Sequence, residues 1–148
     1  MNEMIFDANF LVALVDERDV WHPKAVTLLN ALRIRGAKAV HLDCVLNEVI
    51  SVLGRRFEET GRTNEFDGAL RKLKKKVPDR SITRVYPCIP ELYKAILNLV
   101  SEHKGKLDFH DALVALVSKE MDIKYIVSFD KDFDEIDWLK RVGEVTIE

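Results

Sequence analysis

Apolar residues fall along this chain in short blocks of two alternating kinds, and the alternation predicts the architecture. Runs suited to extended backbone occur at 4–6, 39–42, 82–86, 125–128 and 144–147. Between them the spacing turns helical. Ala25, Leu28, Leu29 and Leu32 recur through 22–35, with Pro23 suited to a first helical turn and Gly36 supplying the stop. Residues 45–57 read as a second, core helix, and 63–77 as a more polar, exposed one ended by Pro78. Leu92, Ile96, Leu99 and Val100 mark a helix over 90–104, closed by Gly105. The stretch 108–121 is apolar nearly all round, which predicts burial on several sides. Strands alternating with helices predict an α/β domain built on a parallel sheet. No internal repeat, low-complexity tract or linker interrupts the pattern, so one domain over 1–148 is expected.

Composition narrows the functional classes. With 148 residues, 47% of them hydrophobic, the chain can bury a substantial core. No apolar run is longer than that from Phe10 to Val15, far short of the ~20 residues of a membrane span. Asn2 and Glu3 stand where a signal peptide would want basic residues, so a soluble, cytoplasmic protein is expected. Cys44 and Cys88 fit neither a metal knuckle nor a disulfide framework and read as buried free thiols. A formal charge of −2 argues against coating nucleic acid by charge alone. Basic groups nevertheless gather in the first half, at Arg33 and Arg35, Arg55 and Arg56, and the run ending in Lys74, Lys75 and Lys76. That pattern suits either a solvated helix face or a basic rim around an acidic site.

The acids carry the chemistry. Asp7, Glu48, Asp111 and Asp130 are each set into apolar sequence, and no Lys or Arg lies within three residues of the first three. A carboxylate removed from water without a partner costs several kcal/mol, roughly, so such acids are normally paired, protonated or bound to a metal. Divalent cations are a natural compensation. Asp7 and Asp130 follow predicted strands, while Glu48 and Asp111 fall near helix starts, so all four can meet at the carboxyl edge of a parallel sheet. Each has a plainer reading. Asp7 also suits an N-cap, and Asp108, three residues before Asp111, is the better cap of that pair. His110 lacks a Cys or second His at ligand spacing. The acid-dense stretch from Asp130 fails as a calcium loop, with Glu135 at the glycine position and Arg141 at the bidentate one. Asp132, Asp134 and Glu135 read instead as the acidic first turn of a helix.

Taken together, Phe-Asp-Ala-Asn at Asp7, Leu-Asn-Glu-Val at Glu48, Asp-Ala-Leu-Val-Ala at Asp111 and Val-Ser-Phe-Asp-Lys-Asp-Phe at Asp130 resemble the PIN-domain nucleases, most closely the VapC-like toxins. The resemblance covers nearly the whole chain. It implies a three-layer α/β/α fold with a central parallel sheet of four to five strands. It also implies Mg²⁺- or Mn²⁺-dependent cleavage of RNA leaving a 3′ hydroxyl and a 5′ phosphate, and often a homodimer neutralised by a small antitoxin. The chain departs from the usual pattern at Ala8, where Thr or Ser is common, and at Ser128, where Thr is common. On this reading Asp7, Glu48, Asp111 and Asp130 are catalytic metal ligands. Asn9, Asp108 and Ser128 support them, and Arg55, Arg56 and Lys74 to Lys76 meet the RNA backbone. Two other classes compete. An RNA-binding or RNA-processing component on the same fold would bind without cutting. A receiver-type phosphoacceptor would want adjacent acids after the first strand, and Asp7 stands alone.

Overall fold

The structure, a computed structural model, describes residues 2–145. Five parallel strands form one sheet: β1 (Glu3–Phe6), β2 (Lys38–Leu42), β3 (Ile82–Thr83), β4 (Tyr125–Val127) and β5 (Lys140–Val142). Their order is β3-β2-β1-β4-β5. In the two central pairings, Met4 lies opposite both Ala39 of β2 and Tyr125 of β4. Helices α1 (Ala8–Val15), α2 (His22–Ile34), α3 (Asp43–Glu59) and α4 (Phe66–Lys76) join the first three strands, and α5 (Ile89–Glu102) and α6 (Phe109–Glu120) lead to β4.

Strand order and handedness distribute these helices. From β1 the chain steps outward to β2 and β3, then returns across the sheet to β4 on the other side of β1. Right-handed crossovers in opposite directions put their helices on opposite faces. Accordingly α1 packs with α2, α3 and α4, whereas α5 packs with α6. The core between is formed by residues such as Ile5, Phe10, Leu11, Leu42, Leu53, Ile96, Ile126 and Phe133, all nearly or fully buried. Helix α6 is buried through Ala112, Leu113, Val114, Ala115, Val117 and Ser118, while Phe109 and Met121 at its two ends are exposed.

Sheet edges differ most from the sequence pattern. The strand expected over 82–86 stops at Thr83 because the Asp43 carboxylate accepts the amides of Val85 and Tyr86, at 2.8 and 3.3 Å. Asp43 also accepts from Cys44 N at 2.8 Å and begins α3 two residues before its expected start. The last strand lies at Lys140–Val142 rather than 144–147; Glu144 and Val145 are not in a strand, and the rest of that range lies outside the described residues. An edge strand needs only backbone pairing on one side, so its side chains can be charged and carry no apolar signal. The acid-dense stretch forms a single 3₁₀ turn, Lys131–Glu135, rather than the start of a longer helix. Of the two thiols only Cys44 is buried; Cys88 is exposed. Burial, aided by the nearby Asp43, pushes the Cys44 thiol up to about 12.

Candidate functional site

The direction of winding reverses between β1 and β4, and the carboxyl edge of a parallel sheet at such a reversal is where a crevice opens. Both strands end in loops that bear chemistry. Asp7 follows β1 and caps α1, its Oδ1 accepting from Ala8 N at 2.8 Å. Its Oδ2 accepts from the hydroxyl of Ser128, directly after β4, at 2.6 Å. Ser128 is fully buried. Its oxygen accepts in turn from Asn9 Nδ2 at 3.1 Å and from Asp130 N at 3.0 Å. One donor and two acceptor positions exhaust a hydroxyl. Asn9 Oδ1 accepts from Phe129 N at 3.0 Å, so both ends of its amide are committed. Asn9 thus supports Asp7 through Ser128 rather than by direct contact.

Helix α6 delivers the next acids. Asp108 caps it, accepting from Asp111 N at 2.8 Å, and leaves the Asp111 carboxylate with no hydrogen-bond partner among the described residues. Burial, with added repulsion from Asp108, Asp7, Asp130 and Asp132, pushes Asp111 up to about 8. Asp7 is raised as well, mainly by burial, which outweighs the opposing hydrogen bonds from Ser128 and Ala8. Asp130 caps the 3₁₀ turn by accepting from Asp132 N at 2.9 Å. Glu48 enters from α3. All four acids singled out by their apolar settings line one cleft of about 390 Å³, together with Asn9 and Asp108.

The same cleft contains residues the sequence pattern did not single out. Asp19 and Trp21 reach it from the loop between α1 and α2, and the pattern gives no sign of this because the loop reads as an ordinary polar turn. His110, set aside for want of matching ligands, also lines it, and His110 Nε2 is buried without a hydrogen-bond partner. Its place between Asp108 and Asp111 was the available signal. The basic candidates divide. Arg56 lines the cleft, held by Asp19 Oδ2 at 2.6 Å and Asp16 Oδ2 at 3.3 Å. Arg55 is exposed elsewhere, and Lys74, Lys75 and Lys76 close α4 away from the cleft lining.

An all-carboxylate donor set suits a hard cation such as Mg²⁺ or Mn²⁺. Positive charge would also relieve the repulsion that raises Asp111. Among the described residues, no three acid, His or Cys side chains stand close enough to chelate an ion as a cage. That looseness is compatible with Mg²⁺, which keeps several of its waters and binds through one or two carboxylates. In donor chemistry, though not as a preformed cage, the residues fit such an ion.

A match to the PIN domain family spans residues 4–139, and the chain belongs to that family. Among solved structures it is similar to the Mycobacterium tuberculosis toxin VapC20, described as cleaving the sarcin-ricin loop, with 19% identity and a TM-score of 0.69 over 92% of this chain and 96% of that one. It is similar also to VapBC2 of Rickettsia felis, described as bound to a DNA fragment from its promoter, with 12% identity and a TM-score of 0.68 over 97% of this chain and 99% of that one. The shared fold is that of the VapC structures. No curated protein matches the chain.

Proposed function

We propose that this protein is a Mg²⁺- or Mn²⁺-dependent endoribonuclease, and that it serves as the toxin of a toxin–antitoxin pair. The observation that carries the reading is the meeting of Asp7, Glu48, Asp111 and Asp130 in one cleft of a PIN domain. VapC20, described as a toxin that cleaves the sarcin-ricin loop, supports the choice of substrate and role by similarity of fold. Asp7, Asp111 and Asp130 would hold the cation, and Glu48 would reach it directly or through water. A cation held there would supply activation of the attacking water and polarisation of the phosphate. The chain's own groups do the rest. Ser128 and Ala8 N fix both oxygens of Asp7, so its orientation is set before substrate arrives. Asn9 locks Ser128 in turn. Arg56 stands at the cleft with its charge oriented by Asp19, available to a backbone phosphate. No Ser, Cys or His nucleophile is required, because the attacking oxygen comes from water.

In the same reading the protein is a homodimer and its partner is a small antitoxin protein. Val26 on α2 and Ile50 on α3 stay exposed at 38% and 44%, which supports a second copy against those helices. The test of the activity is incubation of purified protein with a mixed RNA pool in Mg²⁺, in Mn²⁺ and in EDTA. Cutting is expected with either ion and not with chelator. Asp7→Asn, Glu48→Gln, Asp111→Asn and Asp130→Asn should each lose cleavage by about a hundredfold or more while remaining folded. RNA bound but never cut would instead assign a non-catalytic RNA-binding role.

A further inference from the structure

One large aromatic side chain is partly exposed at the acid cleft with no part in holding the acids. Trp21 is 43% exposed and lines that cleft from the loop between α1 and α2. Its ring stacks on Phe129 at 4.9 Å between centroids and 13° between planes. Phe129 belongs to the loop of Ser128 and Asp130, and it leans on buried Phe10, which leans on Phe6. A column of rings thus runs from the core to the rim and ends in the exposed indole. The loop beneath it is fixed: Trp21 N donates to Asp19 Oδ1 at 2.7 Å, and Asp19 Oδ2 is held by Arg56 at 2.6 Å. The Lys24 ammonium lies 5.2 Å from the Trp21 ring centroid.

We propose that Trp21 is a stacking platform for an unpaired nucleobase of the RNA, placed so that the adjoining phosphate enters the acid cleft. The proposal rests on the ribonuclease reading of that cleft. An indole backed by a second ring and held on a tied loop loses little freedom when a flat partner docks. Proteins that grip single-stranded nucleic acid use such aromatic surfaces, because every base has a stacking face while the charged groups take the backbone. Lys24 fits the second half of that arrangement. It is a flexible cation at the indole, paired with exposed Glu144 at 3.0 Å, and can swing from ring to phosphate as a base arrives. A protein segment against Trp21 would not need the ring so close to phosphate-handling acids.

The experiment is a binding titration with a ten-nucleotide single-stranded RNA in calcium, checked by gel for intact RNA, with tryptophan fluorescence as the readout. The second tryptophan, Trp138, donates to Ala115 O at 2.8 Å outside the cleft and supplies a constant background. Quenching is expected in the parent and not in Trp21→Phe. Affinity should fall about tenfold in Trp21→Leu and stay within about threefold in Trp21→Phe, because leucine keeps apolar area but has no ring. An oligonucleotide of the same length with abasic sites should bind the parent no better than it binds Trp21→Leu. Equal RNA affinity across the three proteins, or absence of RNA-dependent quenching in the parent, overturns the proposal. So does a Trp21→Leu variant that loses only a co-expressed partner protein, which would make the ring a protein contact. Cleavage measured on the same samples in Mg²⁺ keeps the two readings apart. Cutting with no dependence on Trp21 defeats the platform alone, and ring-dependent binding without cutting defeats the nuclease alone.

Discussion

Asp111 is held far from its ordinary titration range by burial and by the acids around it. Its folded-state value, pushed up to about 8, lies above the unfolded value of 3.8, so between those limits the folded chain holds a proton that the unfolded chain releases. Stability must therefore fall as pH rises through that window. Thermal midpoints measured in EDTA should decline from pH 5 to pH 8. Asp111→Asn should flatten that slope and raise the midpoint at pH 8 by about 3 °C, corresponding to ~1 kcal/mol once solvent screening is allowed for. If the cleft takes Mg²⁺ as proposed, the ion should raise the parent's midpoint and leave that of the same variant unchanged. An undiminished slope in the variant would place the titration on other groups. The four acids were legible because a charge inside an apolar stretch is a local anomaly, visible without knowing what it faces. Ser128 and Asn9 stood out through the family resemblance, at positions beside those acids. The exchange of hydrogen bonds between them spans 119 residues of chain and is a tertiary fact.

At the scale of elements, the loop from α1 to α2 is tied down by a guanidinium from beyond α3. Arg62 and Asp16 are both buried and meet through two contacts, at 2.9 and 3.3 Å. Arg62 Nε also donates to Thr60 Oγ1 at 2.9 Å, and its guanidinium lies 4.3 Å from the Phe57 ring centroid. Burial pushes the Asp16 carboxyl upward, but hydrogen bonds from Arg62, Arg18 N and Arg56 outweigh it and leave it below the usual carboxylate range. The stability this acid supplies is present above pH ~4 and lost as pH falls through its depressed folded value. Arg62→Ala should cost about 2 kcal/mol in urea unfolding at pH 7, because the buried Asp16 carboxylate loses two charge-assisted hydrogen bonds and keeps only those from Arg18 N and Arg56. The loss should shrink as pH falls and Asp16 takes up its proton. Arg62→Lys should recover only part of it, lacking the planar fork. A cost below ~1 kcal/mol would reduce the pair to a surface contact. None of this was legible in sequence, where Asp16 and Arg62 lie in separate polar turns. The same limit hid β5, whose Lys140 and Arg141 look like solvent-facing chain. Helices with a continuous apolar stripe were found within a few residues of their ends, since burial of one face leaves a periodic trace.

On the proposed reading the whole molecule poses a charge problem: a cleft of acids would have to receive a polyanion. In the proposed dimer, Lys74, Lys75 and Lys76 supply positive potential away from the acids and guide RNA in from a distance. Light scattering should then give about twice the 17.0 kDa chain mass. Reversing the three lysines to glutamates should weaken RNA affinity by about tenfold at low salt, with little change in Mg²⁺ affinity. A monomer at micromolar concentration would remove the dimer, and unchanged RNA affinity would return the lysines to the role of a solvated helix end.

The bond between Asp7 and Ser128 joins residues 121 apart in sequence, and β1 finds its neighbour β4 at a similar separation. Synthesis proceeds from the N-terminus at roughly 5–20 residues per second, so Asp7 leaves the ribosome many seconds before the strand that completes its surroundings. During that interval the emerging polypeptide has its first acid but not Ser128 or Asp130, and no assembled cleft. On the ribonuclease reading proposed above, the nascent chain would thus be unable to cut RNA while it is being made, and that capacity would arise only once β4 and the loop after it have emerged.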